Sequence, residues 1–204
     1  MFPIVVATLL AGLAAGCAWP QRGDLTAGFW FEPVSYESNL LGGALSAAEI
    51  EAIAAVARQE LAIAFASFRV TLTDDRDARY SVRVVQELID HRTKRKSWIA
   101  GQSYATRAFG GSGAVSFIYF ASGAMSYAPP SATRAELVAA IGRGIGRSAA
   151  HEFAHQFLAG HDEHPTKDMG SYEYHAASRS EQYFGPMHWD VAGPMLAKRL
   201  GRKN

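Results

Sequence analysis

The chain has 204 residues, 49% of them apolar, and its 20 Lys and Arg against 19 Asp and Glu leave a formal charge of +1. That length and composition suit one globular unit with a sizeable core. The near-neutral balance lacks the basic excess of nucleic-acid-binding chains, so no nucleic-acid partner is expected, and a single cysteine excludes an internal disulfide framework.

Residues 2–16 (FPIVVATLLAGLAAG) are an uncharged apolar run, too short to span a bilayer comfortably and patterned like the hydrophobic region of a secretory signal. Ala14-Ala15-Gly16-Cys17 then resembles a bacterial lipobox, in which Cys17 becomes the lipidated first residue of the mature protein. On this reading residues 1–17 are a signal peptide and the partner of the N-terminus is a membrane. Ala18 is not the aspartate associated with inner-membrane retention, which favours the outer membrane. The rival readings are cleavage after Ala18, giving a periplasmic or secreted protein, and a buried N-terminal helix. Residues 18–44, rich in Gly, Pro, Ser and aromatics without a period, are expected to form a tether and a segment lying on the domain. Residues 45–204 are expected to be the folded domain.

Ser46-Ala47-Ala48-Glu49 has the pattern of a capping box and predicts a helix to about Ser67, with Ile50, Ile53, Ala54, Val56, Ala57, Leu61 and Phe65 as its apolar stripe. Residues 68–73 and 80–88 alternate as strands. Between them, Asp74, Asp75 and Asp77 read either as a solvated turn or as a structural calcium site. Residues 90–96 (DHRTKRK) form a basic loop, either a solvated hairpin tip or a contact for anionic headgroups. Further strands are predicted over 98–107 and 113–120, separated by a glycine-rich stretch. Thr133 with Glu136 makes a second capping box, opening a helix that runs towards Ala159. Its ridge of Leu137, Ile141, Ile145, Ala149, Phe153 and Phe157 should face the core, and the ridge of Arg143, Arg147, His151 and His155 should line a cleft. Gly142, Gly144 and Gly146 each weaken a helix by about 1 kcal/mol, which predicts either a break or close packing there. Residues 170–186 look irregular and aromatic, and residues 188–200 predict a closing helix with Pro194 near its start. The fold class is therefore α+β, with a mixed, twisted sheet of four or five strands and helices packed against it.

The chemistry concentrates in His151-Glu152-Phe153-Ala154-His155 and the histidine that follows, His161. Residues four apart share a helix face, so His151 and His155 can offer both imidazoles to one metal ion, and Glu152 stands beside them as a base for a water. A catalytic zinc usually takes three protein ligands and keeps one position open. Six residues turn a helix by roughly 240°, so His161 reaches the metal only if the chain leaves the helix, and Gly160 gives it a place to do so. His164 competes for the third position. Glu173, eighteen residues beyond His155, supports an alternative in which a downstream glutamate is the third ligand. The bland alternative is a surface helix that happens to carry histidines.

This stretch resembles the metzincin clan of zinc metallopeptidases, whose signature is HExxHxxGxxH followed by a methionine-containing turn. His161 falls at the clan's third histidine, and Met169 follows it by eight residues, a spacing similar to that of matrixins. The clan's glycine falls at Leu158 here, with glycine two residues later at Gly160. The resemblance implies a zincin-like fold with a backing helix, an active-site helix and a C-terminal helix. It also implies one catalytic Zn2+ on His151, His155 and His161, with Glu152 as general base and a protein or peptide as substrate. Met169 would form an apolar floor under the metal, and Tyr172 or Tyr174 would be either an oxyanion or substrate contact or a packing residue. Asp162 would be either an anchor for a ligand or a solvated turn residue. Substrate would pair with an exposed edge strand, for which Val115, Phe117 and Tyr119 are the candidates, against the reading of a buried strand. The cysteine-switch latency of matrixins has no thiol here beyond Cys17. The alternative from another class is a non-proteolytic envelope lipoprotein that keeps zinc for stability.

Overall fold

The structure, a computed structural model, describes residues 24–89, 99–106, 109–159, 166–174 and 178–203. Cys17, the basic run at 90–96, and Gly160, His161, Asp162 and His164 lie outside the described residues. The fold is α+β, built on a five-stranded mixed sheet. Its strands are β1 (Leu25–Phe31), β4 (Val70–Thr73), β5 (Tyr80–Val85), β6 (Gly101–Thr106) and β7 (Gly110–Ser116), in the order β4-β1-β5-β7-β6. The first four neighbours run parallel and β6 runs antiparallel to β7. A ribbon of β2 (Glu37–Ser38) and β3 (Gly43–Ala44) lies outside this sheet. Among the described residues no helix is long and apolar enough to cross a membrane.

Both predicted capping boxes form. Ser46 and Glu49 open α1 (Ala47–Ala64), and Thr133 and Glu136 open α3 (Arg134–Phe157). In each, the hydroxyl accepts from the backbone N–H three residues on while the glutamate accepts from the cap's own N–H. The three glycines of α3 mark close packing, and the helix continues unbroken through them. A Cβ at Gly142 would lie 2.7 Å from the Ile53 carbonyl oxygen, and one at Gly146 would lie 2.5 Å from that of Ala57. Their absence lets α1 and α3 approach backbone to backbone. The ridge Ile141, Ile145, Ala149, Phe153 and Phe157 is buried, and Phe157 and Phe153 meet Phe65, the residue that caps the C-terminus of α1, edge-on.

Three expectations change. Residues 25–31 are the second strand of the sheet, between β4 and β5, and belong to the domain that was expected to begin at 45. Leu25-Thr-Ala-Gly-Phe-Trp-Phe lacks strict alternation because the turn at 74–77 crosses its outer face, the Asp75 carbonyl standing where a Cβ of Gly28 would be. Secondly, the strand predicted over 113–120 stops at Ser116, which caps α2 (Phe117–Tyr127). The β-favouring run Phe-Ile-Tyr-Phe concealed a helical spacing, Phe117, Phe120, Ala121 and Ala124, which is the buried stripe of α2. The third follows from the second. Val115 is fully buried in β7, which is paired on both sides, while Phe117 and Tyr119 are in α2, so none of these three lies on a sheet edge. The edge strand beside α3 is β6.

α4 (Glu181–Phe184) and α5 (Ala192–Leu200) complete the chain, with Pro194 in the first turn of α5. Asp75 and Asp77 form a local turn, the Asp77 N–H donating to Asp75 Oδ1 at 2.9 Å. This is the turn geometry that aspartates adopt without any ion.

Candidate active site

α3 carries His151, Glu152 and His155 in its last two turns, and the sheet fixes where those turns sit. Gln156 reaches onto β5, where its amide donates to the Ser81 carbonyl at 2.9 Å and accepts from the Ser81 N–H at 3.1 Å. Ser103 of β6 donates its hydroxyl to the Glu152 carbonyl at 3.1 Å. Glycines make room for this seating: a Cβ at Gly111 would be 2.6 Å from Gln156 Cγ, and one at Gly113 would be 3.0 Å from its Nε2. The helix is thus pressed onto the β6–β7 hairpin through a glycine floor.

The two imidazoles converge. Nε2 of His155 lies 3.0 Å from Nε2 of His151, with the rings nearly perpendicular. Nδ1 of His151 is 2.7 Å from the Tyr172 carbonyl oxygen, which can only accept, so this nitrogen carries the proton. A neutral His151 therefore presents the lone pair of Nε2 towards His155. Two ring nitrogens at this separation suit one shared cation, and the carbonyl behind His151 is the usual orienting partner of a metal-bound imidazole. Among the described residues no group of three or more His, Cys, Asp or Glu is gathered to hold a metal, and His161 lies outside them.

Glu152 is buried at 4% exposure, next to the two histidines on α3. Its carboxylate lies against Gly101 of β6, where a Cβ would meet Oε1 and would approach Cδ to 2.9 Å. The carboxylate is thus enclosed between its own helix and the edge strand, and only glycine fits opposite it. A cavity of about 320 Å³ opens here, lined by Gly101, His151 and Glu152 and, across from them, by Tyr172, Tyr174 and Arg179.

The segment from Met169 to Gln182 contributes the remaining wall. Arg179, 6% exposed, donates Nε–H to the Met169 carbonyl, Nη2–H to that of Ser171 at 2.7 Å and Nη1–H to that of Tyr174 at 3.3 Å. It thus gathers the turn whose Tyr172 carbonyl orients His151. Tyr172 is buried, its ring centroid 4.7 Å from that of Trp189, and burial together with the Glu60 charge pushes its hydroxyl up to about 12. Tyr174 is half-buried beneath the Arg179 guanidinium, 4.7 Å from its ring centroid. Met169 does not form an enclosed floor: the residue is 48% exposed, and its main-chain carbonyl is held by Arg179. The methionine lining the cavity with His151 is Met187.

Glu173 is occupied elsewhere. Buried at 1% exposure, it accepts from the N–H groups of Asp190 at 3.0 Å and Ala192 at 2.7 Å and from the Ser171 hydroxyl. It serves the N-terminus of α5, where a carboxylate complements both the unpaired N–H groups and the helix dipole. A third-ligand role for Glu173 would require giving up these bonds.

Sequence reasoning missed Gly101, Ser103, Gln156, Arg179 and Met187. All five depend on contacts between distant segments, and the one local signal was the glycine clustering in 110–113 that seats Gln156. No family model matches the chain, and no curated protein matches it.

Proposed function

We propose that the protein is a zinc-dependent endopeptidase of metzincin type, exported and tethered to a bacterial membrane through a lipidated Cys17. The observation that carries this reading is the convergence of His151 Nε2 and His155 Nε2 at 3.0 Å beside the buried carboxylate of Glu152. His161 would complete the ligand set. Zinc bound there would supply Lewis acidity, polarising the scissile carbonyl and lowering the pKa of a water towards about 7. Glu152 is the residue that would take the proton of a water held there and return it to the leaving amine. Enclosure against Gly101 suits this task, because it confines the carboxylate to one place next to the reacting atoms. The Tyr172 carbonyl holds His151 in the tautomer that a ligand needs. β6 is the edge strand nearest the site, antiparallel to β7, and among the described residues nothing pairs with its outer side. An extended peptide can add to it by main-chain hydrogen bonds.

Zinc content and peptide cleavage, measured on three proteins, test the reading. The wild type should hold one zinc per chain and cleave peptides. Glu152→Gln should keep the zinc and lose about 10² to 10⁴ in rate. His161→Ala should lose both zinc and activity. A wild type that binds zinc and cleaves nothing in a proteome-derived peptide library would make this a structural zinc protein of the envelope. Full zinc in His161→Ala would remove the metzincin assignment.

A further inference from the structure

The cavity beside Glu152 has an unusual charge make-up for a pocket expected to receive part of a peptide. Two buried arginines line it, Arg147 from α3 and Arg179 from the remaining wall. They differ in how their charge is met. Arg147 pairs with Glu60, Nε at 2.8 Å from Oε2 and Nη2 at 3.4 Å from Oε1, and donates Nη1–H to the Glu181 carbonyl at 2.8 Å. It is neutralised within the fold. Among the described residues Arg179 makes four hydrogen bonds, to the carbonyls of Met169, Ser171 and Tyr174 and to Gln182 Oε1 at 3.5 Å, and none of these goes to a carboxylate.

A guanidinium carries five N–H donors, so these four bonds leave one Nη2–H to spare. Gln182 also lines the cavity, and with its Oε1 engaged by Arg179 its NH2 group remains as a further donor. Among the described residues the one carboxylate on the cavity wall is Glu152, whose place is set against Gly101. Glu181 is near enough for its charge to act on Arg179 but makes no hydrogen bond to it, so the guanidinium donors are met by neutral oxygens and, among the described residues, no carboxylate is seated against them.

We propose that Arg179 makes this cavity a receptor for a substrate carboxylate, placed next to the scissile bond. The substrates are then peptides with an aspartate or glutamate beside the cleaved bond, or with a free C-terminus reaching the same pocket. The inference rests on the peptidase reading above, and Arg179 acts as a specificity-determining residue. A charged carboxylate–guanidinium contact at a buried arginine favours the acidic substrate by about 10- to 100-fold over its neutral isostere.

The test uses fluorogenic peptides that differ only in Glu or Gln at the first residue after the scissile bond, each with a free or an amidated C-terminus. Zinc-loaded wild type should show kcat/KM at least 10-fold higher for Glu than for Gln if the carboxylate is a side chain. If it is the chain terminus, the free-acid peptide should exceed the amide by the same factor. In Arg179→Met either preference should vanish, while a merely structural loss would lower all four rates together. The wild-type ratios decide the matter even where that variant fails to fold. Equal rates for all four peptides would overturn the inference and leave the peptidase reading intact. Binding of the same peptides to Glu152→Gln, followed by fluorescence anisotropy, reads the charge preference without hydrolysis. No binding preference there would overturn the carboxylate receptor independently of whether the wild type cleaves.

Discussion

Gly101 is a position where one methyl group should matter more for chemistry than for folding. A Cβ there meets Glu152 Oε1 and comes within 2.9 Å of Cδ, while the backbone of β6 stays where its pairing with β7 puts it. The side chain that must give way is the proposed base. Displacing a catalytic group by about 1 Å can cost roughly 100-fold in rate. Gly101→Ala should therefore lower peptide cleavage by about that factor with zinc content unchanged, which metal analysis beside a kinetic assay would check. An activity within a few-fold of wild type would mean that Glu152 does not work from the place it occupies here. The histidine pair and the glutamate were legible from spacing alone, because four residues on a helix fix a shared face. Gly101 and Arg179 were not, because their roles exist only once segments about 50 and 30 residues away from α3's site residues fold against it.

At the scale of the elements, the sequence announced helices through their caps and lost strands whose burial pattern was not periodic. Ser46 with Glu49 and Thr133 with Glu136 located α1 and α3 almost to the residue, since a cap is a local bond between neighbours. β1 and α2 were hidden, one by a covering turn on its outer face and the other by aromatic residues of high strand preference. The α1–α3 seam offers a direct test of what its glycines do. In an open helix Gly→Ala gains about 1 kcal/mol, yet at Gly146 the new Cβ would stand 2.5 Å from the Ala57 carbonyl oxygen and 2.8 Å from Glu60 Cβ. Overpacking of this kind costs about 1–3 kcal/mol, so Gly146→Ala should destabilise the protein by that amount in chemical denaturation. A stabilised variant would show that α1 moves aside freely.

Across the whole molecule, the site loop and the closing helix are joined by one carboxylate. Glu173 takes N–H bonds from Asp190 and Ala192 while Arg179 gathers the carbonyls on the other side of the same loop. Glu173→Gln should cost about 1–3 kcal/mol of stability, because an amide replaces one of the two accepting oxygens with a donor, and should leave zinc stoichiometry at one. Loss of the metal in that variant would restore Glu173 as a ligand. The outer edge of β6, where no strand pairs among the described residues, has a consequence of a different kind. Residues 101–106 (GQSYAT) carry no Lys, Glu or Pro, the residues with which proteins commonly guard such margins. A margin left open for a guest strand is equally open to the margin of a second molecule, so crowding and concentration work against a protein built this way. Self-association in storage, and its suppression by any ligand that lies along β6, belong to the same geometry that would make the protein receptive to an extended peptide.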